Sequence, residues 1–221
     1  MFTLIRDRRR SVRPDAFDRV AAFMHDHWDL ITDDESAYKP AYVAEIADVV
    51  RRADAGEVGW DVVLTTRGEA VSHLIGWRAA DHLRRLARAW PGGLATGIRD
   101  MLATQDADAL WRAVLADAGG EAGLSPYRTL ASVGARASVA SYFLFVHDPV
   151  RWPMYRADNF GTPLVKITGE PLDKTSPASL LRGYYRALDE LHHRLRYAGL
   201  PATSRLDAQG VLWVANYKKV V

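Results

Sequence analysis

Apolar residues recur every three or four positions along most of this chain, the spacing that lays one side of an α-helix against a core. Phe17, Val20, Ala21, Met24, Trp28 and Ile31 form one such stripe over 15–31, introduced by Pro14. Segments 41–54 and 69–90 repeat it, the second through Val71, Leu74, Ile75, Leu83, Leu86 and Trp90. Pro91-Gly92-Gly93 predicts a break, followed by shorter helices over 94–103 and 107–118 that Gly119-Gly120 stops. Ser176-Pro177 supplies a cap and then a first-turn proline, and Leu180, Leu181, Tyr184, Leu188, Leu191 and Leu195 carry that helix toward Gly199 and Pro201. Trp60-Asp61-Val62-Val63-Leu64-Thr65-Thr66 is the one stretch that reads as a strand, while Val211-Leu212-Trp213-Val214 suits either a strand or a buried helix. The expected fold class is mainly α, with at most a short strand element near 60–66. Its expected organisation is an N-terminal helical lobe, 1–93, and a second lobe, 94–221, or one compact domain spanning 1–221.

Composition narrows the chemistry. With 221 residues, 48% of them hydrophobic, the chain can bury a generous core, which excludes disorder as its overall state. No cysteine is present, so disulfides, thiolate zinc sites, iron–sulfur clusters and cysteine nucleophiles are all excluded. No apolar run approaches 18 residues, and Met1-Phe2-Thr3-Leu4-Ile5-Arg6-Asp7 lacks the long apolar stretch of a secretory signal, so a cytoplasmic protein without a membrane partner is expected. Phosphate-loop, dinucleotide-binding and nucleophile-elbow motifs are absent from the sequence. In His25-Asp26-His27-Trp28-Asp29 the histidines are two apart and face different sides of a helix, and the adjacent His192 and His193 diverge similarly. Neither pair predicts a metal site, and no cofactor is expected.

A net charge of +2, from 29 basic and 27 acidic residues, does not by itself mark a nucleic-acid protein. Its distribution is more informative. Arg6, Arg8, Arg9, Arg10 and Arg13 gather before the first helix, and Arg78, Arg84, Arg85 and Arg88 lie along another helical stretch. Charge runs are commonly solvated faces, although a preference for arginine over lysine also suits bidentate phosphate contact.

The most informative segment is Leu130 to Val146, where Val133-Gly134 predicts a tight turn opening directly into a small-residue helix. The first amides of a helix lack intrahelical partners and sit at the positive end of its dipole, so they can hold a phosphate oxygen. Gly134 would admit a close backbone and could take a positive φ. Downstream, Arg151-Trp152-Pro153-Met154-Tyr155-Arg156 sets two cations and two aromatics around a proline. That cluster suits clamping phosphates and stacking an unpaired base, or equally an aromatic core anchor with surface arginines.

Residues 124–160 resemble the hairpin of the helix-hairpin-helix DNA glycosylases. Leu130, Val133, Gly134, Arg136 and the following helix match, with Ala131 and Ser132 in place of the family's proline and first glycine, and His147-Asp148-Pro149-Val150-Arg151-Trp152-Pro153 follows at the family's spacing. The resemblance implies DNA binding through Val133, Gly134, Ala135, Arg136, Ser138, Arg151, Trp152, Tyr155 and Arg156. It does not carry over the chemistry, because Tyr155 stands where the family has its catalytic aspartate and Arg136 where bifunctional members have their lysine nucleophile. Leu206 to Val214 adds a similarity to the non-catalytic N-terminal modules of some McrB-like restriction ATPases and restriction nucleases. The implied function is a DNA-binding module in defence or repair, with an ATPase or nuclease as partner protein. Two rival readings are a divergent glycosylase using Asp158, one helical turn from the family position, and a protein–protein interaction domain that binds no nucleic acid.

Overall fold

The protein is described by a computed structural model over residues 15–221, side chains of 33–37 excepted. The arginine cluster from Arg6 to Arg13 lies outside the described residues. Among these residues every regular element is helical. Helix α1 (Ala16–Asp26) begins where the Asp15 carboxylate accepts the Asp18 amide at 2.8 Å, and its stripe of Phe17, Val20, Ala21 and Met24 is buried. A π-helical turn, Leu30–Glu35, leads into α2 (Ser36–Asp54), which carries Pro40. Next come α3 (Trp60–Thr65), α4 (Gly68–Ile75), α5 (Trp77–Ala89), α6 (Pro91–Thr104) and α7 (Ala107–Asp117). Two 3-10 turns, Glu121–Leu124 and Arg128–Ala131, precede α8 (Val133–His147). A second π-helical turn, Ala157–Gly161, runs into α9 (Thr162–Thr168), and α10 (Pro177–Tyr197) and α11 (Arg205–Tyr217) complete the order.

The strand expected near 60–66 is a helix. Its buried members are Trp60, Val63 and Leu64, a helical spacing, while Val62 is exposed where an alternating strand would have buried it. The Thr65 and Thr66 hydroxyls also turn back onto the Val62 carbonyl, at 3.0 and 2.8 Å, which helical geometry allows. Val211 to Val214 is helical as well. It lies inside α11, which starts at a capping box of Ser204 and Asp207 and buries Val211, Leu212 and Val214.

Pro91-Gly92-Gly93 likewise does not interrupt helical structure for long. Pro91 occupies the first turn of α6, where its missing N–H costs nothing. The glycines that follow serve packing. A β-carbon on Gly93 would sit 2.6 Å from Cβ of Asp117, and one on Gly97 would sit 2.6 Å from the Leu110 carbonyl oxygen. Without side chains at these two positions, one turn apart, α6 lies directly on the backbone of α7. The Asp117 carboxylate then caps the Gly93 amide at 2.8 Å.

Helix α8 is the axis of the molecule. Residues Ala137 to Val146 are all buried, so the helix has no solvent face along this length, as expected of one enclosed by others. Helices α2, α4, α5, α6, α7 and α10 all touch it. One contiguous core runs from Phe17 to Ala215 and joins side chains from both sides of residue 93. No helix among the described residues is long and apolar enough to cross a membrane.

Gly97→Ala is expected to destabilise the protein by about 1–3 kcal/mol, because the methyl group meets fixed backbone rather than a movable side chain. Gly92→Ala, whose nearest outside neighbour is a carboxylate oxygen at 3.8 Å, should be neutral or mildly stabilising. Urea denaturation of the two variants checks the contrast.

Candidate nucleic-acid interface

Helix α8 opens to solvent at its first turn. Ser132 is the N-cap, its hydroxyl accepting the Ala135 amide at 3.2 Å and its carbonyl the Arg136 amide at 3.0 Å. The Val133 and Gly134 amides have no hydrogen-bond partner among the described residues. They are the donors that a helix start leaves for an anion. Gly134 itself is the second residue of the helix and does not take the positive φ expected from the sequence. An added β-carbon there would meet nothing within 4 Å, so the missing side chain leaves an approach open instead of relieving strain.

That approach is a pocket of about 300 Å³ between the start of α8, the start of α5 and the segment entering the second π-helical turn. Gly134, Ala135 and Ser138 form one wall, Trp77 and Arg78 another, and Arg156 and Asp158 a third. Trp77 is 66% exposed, which is unusual for so large an apolar side chain, and the Arg78 guanidinium lies 4.9 Å from its ring centroid. Ser138 is 5% exposed and its hydroxyl has no partner among the described residues, although buried hydroxyls nearly always find one.

Arg156 and Asp158 face each other. The guanidinium donates to the two carboxylate oxygens at 3.2 and 2.8 Å and to the His73 carbonyl at 2.9 Å, which fixes it at the pocket edge. The hydrogen bonds from Arg156 hold the Asp158 carboxyl below its ordinary value despite partial burial. Asp158 is therefore an ionised partner with both oxygens engaged, a poor starting point for activating water.

Tyr155, at the family's aspartate position, is not in this pocket. Its ring is buried edge-on against Tyr184 at 5.1 Å, and its amide donates to the Ser141 hydroxyl on α8 at 2.9 Å. Burial, and then the Asp158 charge, raise the phenol pKa, so it stays neutral.

The remaining candidates go elsewhere. Arg136 does not reach toward a phosphate. Its side chain is 12% exposed, donates to the Leu130 carbonyl at 2.8 Å and forms a bidentate pair with Glu121 at 2.8 and 2.6 Å. It also lies over the Trp111 ring, whose indole N–H bonds the Arg136 carbonyl at 3.0 Å. This arginine ties the two 3-10 turns to α8. Arg151 and Trp152 stack on each other near the opposite end of α8, beside Tyr185 and Arg205. Of the expected set, Gly134, Ala135, Ser138 and Arg156 gather at the start of α8 and Arg151 and Trp152 near its far end, while Arg136 and Tyr155 are packed inside.

Most of the second arginine cluster is committed internally. Arg84 donates to the Leu64 and Gly68 carbonyls at 3.0 and 2.5 Å, Arg85 lies 4.0 Å from Asp81, and Arg88 lies 4.0 Å from Asp61. Arg78 alone of the four lines the pocket. His192 and His193 stack at 5.7 Å, and no group of three or more metal-ligating side chains gathers among the described residues.

The residue that sequence reasoning missed is Trp77. A signal was present, since it directly follows Gly76 and falls outside the apolar stripe through Leu74, Ile75 and Leu83.

In the structure Arg136 is a packing residue and Gly134 is unstrained, which changes the stability effects expected of their substitution. Arg136→Ala should cost about 1–3 kcal/mol of stability, because it leaves the Leu130 carbonyl without this donor. Glu121 is held below its ordinary pKa chiefly by its hydrogen bond from Arg136. A lowered carboxyl contributes stability above its unfolded value and loses it as pH falls, so the gap between wild type and Arg136→Ala should narrow below about pH 4. Gly134→Ala should instead raise stability by up to about 1 kcal/mol. Thermal melts between neutral and acid pH read both effects.

No protein-family model, curated protein or solved structure matches this chain.

Proposed function

We propose that this protein binds nucleic acid at the start of α8 and does not excise bases, serving as the DNA-recognition part of a defence or repair assembly whose nuclease or ATPase is a separate component. The observation that carries the reading is the pair of free amides at Val133 and Gly134 opening beside Arg78, Arg156 and the unpartnered Ser138 hydroxyl. A phosphate fits this set, because it supplies several acceptor oxygens where the helix presents donors and positive potential. Trp77 gives the adjoining unpaired base or sugar a flat surface, backed by the Arg78 guanidinium.

Catalysis of the glycosylase kind has little to support it. Tyr155 offers neither a carboxylate nor access to the pocket, and the oxygens of Asp158 are taken by Arg156. A protein partner would also cover an exposed tryptophan, but it would leave the two free amides without an explanation.

Fluorescence anisotropy with single-stranded and duplex oligonucleotides tests the proposal. Affinity should fall as salt rises, with a slope of about 0.7 per phosphate contact on single strands and about 0.9 on duplex. Trp77→Ala should weaken single-strand binding by about 1–3 kcal/mol, and Arg78→Gln should lower the salt slope by about one unit. Duplexes carrying uracil, oxidised or alkylated bases should release no base. Absence of binding at low salt to either form would remove the reading, and base release abolished by Asp158→Asn would replace it with an enzymatic one.

A further inference from the structure

A second cleft, of about 460 Å³, lies at the far end of α8 and shares no lining residue with the pocket just described. Leu144, ten residues beyond Gly134 and about 15 Å along the helix, forms part of its floor. Leu181 and Ala178 of α10 extend that apolar floor, and Trp152 closes one side.

The charges around it do not balance. Asp189 is fully engaged by Arg205, at 2.5 and 2.7 Å, and Arg205 spends its remaining arm on the Arg151 carbonyl at 2.9 Å. Asp106 caps α7 and pairs with Arg112 at 3.0 Å. Arg182 and Arg186, one turn apart on α10, are exposed at the mouth and form no ion pair among the described residues. Both also border a neighbouring pocket of similar volume, where Asp173 is near enough to feel the charge of Arg182. Two cations on one ridge are thus left without an ion-pair partner among the described residues.

Tyr185 also lines the cleft, but its hydroxyl is enclosed behind the cleft wall and has no hydrogen-bond partner among the described residues. Burial pushes that phenol pKa upward, so it remains an O–H donor. A buried hydroxyl without an acceptor is destabilising unless something supplies one.

We infer that this cleft binds a small organic anion, with its carboxylate or phosphate-ester head on Arg182 and Arg186 and an apolar body against Leu144, Leu181 and Trp152. The inference is independent of the nucleic-acid reading, which rests on the other end of α8. Its size falls within the range of small-molecule sites.

Isothermal titration of the whole chain with phenyl phosphate, phenylacetate and inorganic phosphate tests it. At least one aromatic anion should saturate with a Kd of roughly 0.1–1 mM and bind about tenfold more tightly than inorganic phosphate. Which aromatic anion binds identifies the head group. Arg186→Gln, on the exposed face of α10, should weaken that binding about tenfold. Tyr185→Phe should leave that binding unchanged and raise the melting temperature of the free protein by roughly 2–5 °C, because it removes the unpaired, enclosed hydroxyl. Arg186→Gln decides the matter alone if Tyr185→Phe fails to fold. No saturation by either aromatic anion at about 5 mM, or equal binding in Arg186→Gln, overturns the inference. Displacement of the bound anion by a single-stranded oligonucleotide would also overturn it, by making the cleft part of a polymer-binding surface.

Discussion

The amide of Gln209 ties together parts of the chain that lie far apart in sequence. It is fully buried on α11, with its oxygen accepting the Lys39 ammonium of α2 at 2.7 Å. Lysine can only donate, so the amide nitrogen must face the other way, and there it donates to the Met154 carbonyl and to the Tyr184 hydroxyl at 2.8 Å. Tyr184 in turn donates to the same Met154 carbonyl at 3.0 Å. Lys39 is 1% exposed and lies 5.3 Å from the centre of the Phe160 ring. A buried ammonium is costly without such partners, which makes this network demanding of its geometry.

The segment it grips is the irregular chain between α8 and the second π-helical turn. Met154 is fixed by Gln209 and Tyr184, Tyr155 by the Ser141 hydroxyl, and Arg151 by Arg205. With those points fixed, Arg156 emerges at the start of α8 and Trp152 at its far end. The two clefts therefore depend on a common strap, although they share no residue. Local stiffness in a loop without regular structure here comes from side chains on three helices reaching its backbone.

Much of the helical order was legible in the sequence because burial on one side of a helix imposes a period that survives in the residues themselves. The 60–66 run misled because seven residues with a short apolar centre do not fix a period, and only packing decided that Val62 would be the member turned outward. Gly93 misled for a different reason. A glycine that ends a helix and one that lets two helices touch look alike until the partner is known. Arg136 was legible as a cation beside a helix start, but its acceptor, Glu121, comes from a separate turn. Trp77 and Gly134 meet across the fold, so the pocket they share has no local signature. Tertiary placement, not local chemistry, created what the sequence did not disclose.

The enclosure of α8 has a further consequence for how the molecule breathes. Amide protons between Ala137 and Val146 are bonded within a helix that has no solvent face, so their exchange with deuterium requires opening on the scale of the whole fold. The Val133 and Gly134 amides, a few residues away on the same helix, have no bond to break. One element thus carries the slowest and some of the fastest protons of the chain, and slowing of the fast pair directly reports a group seated on them.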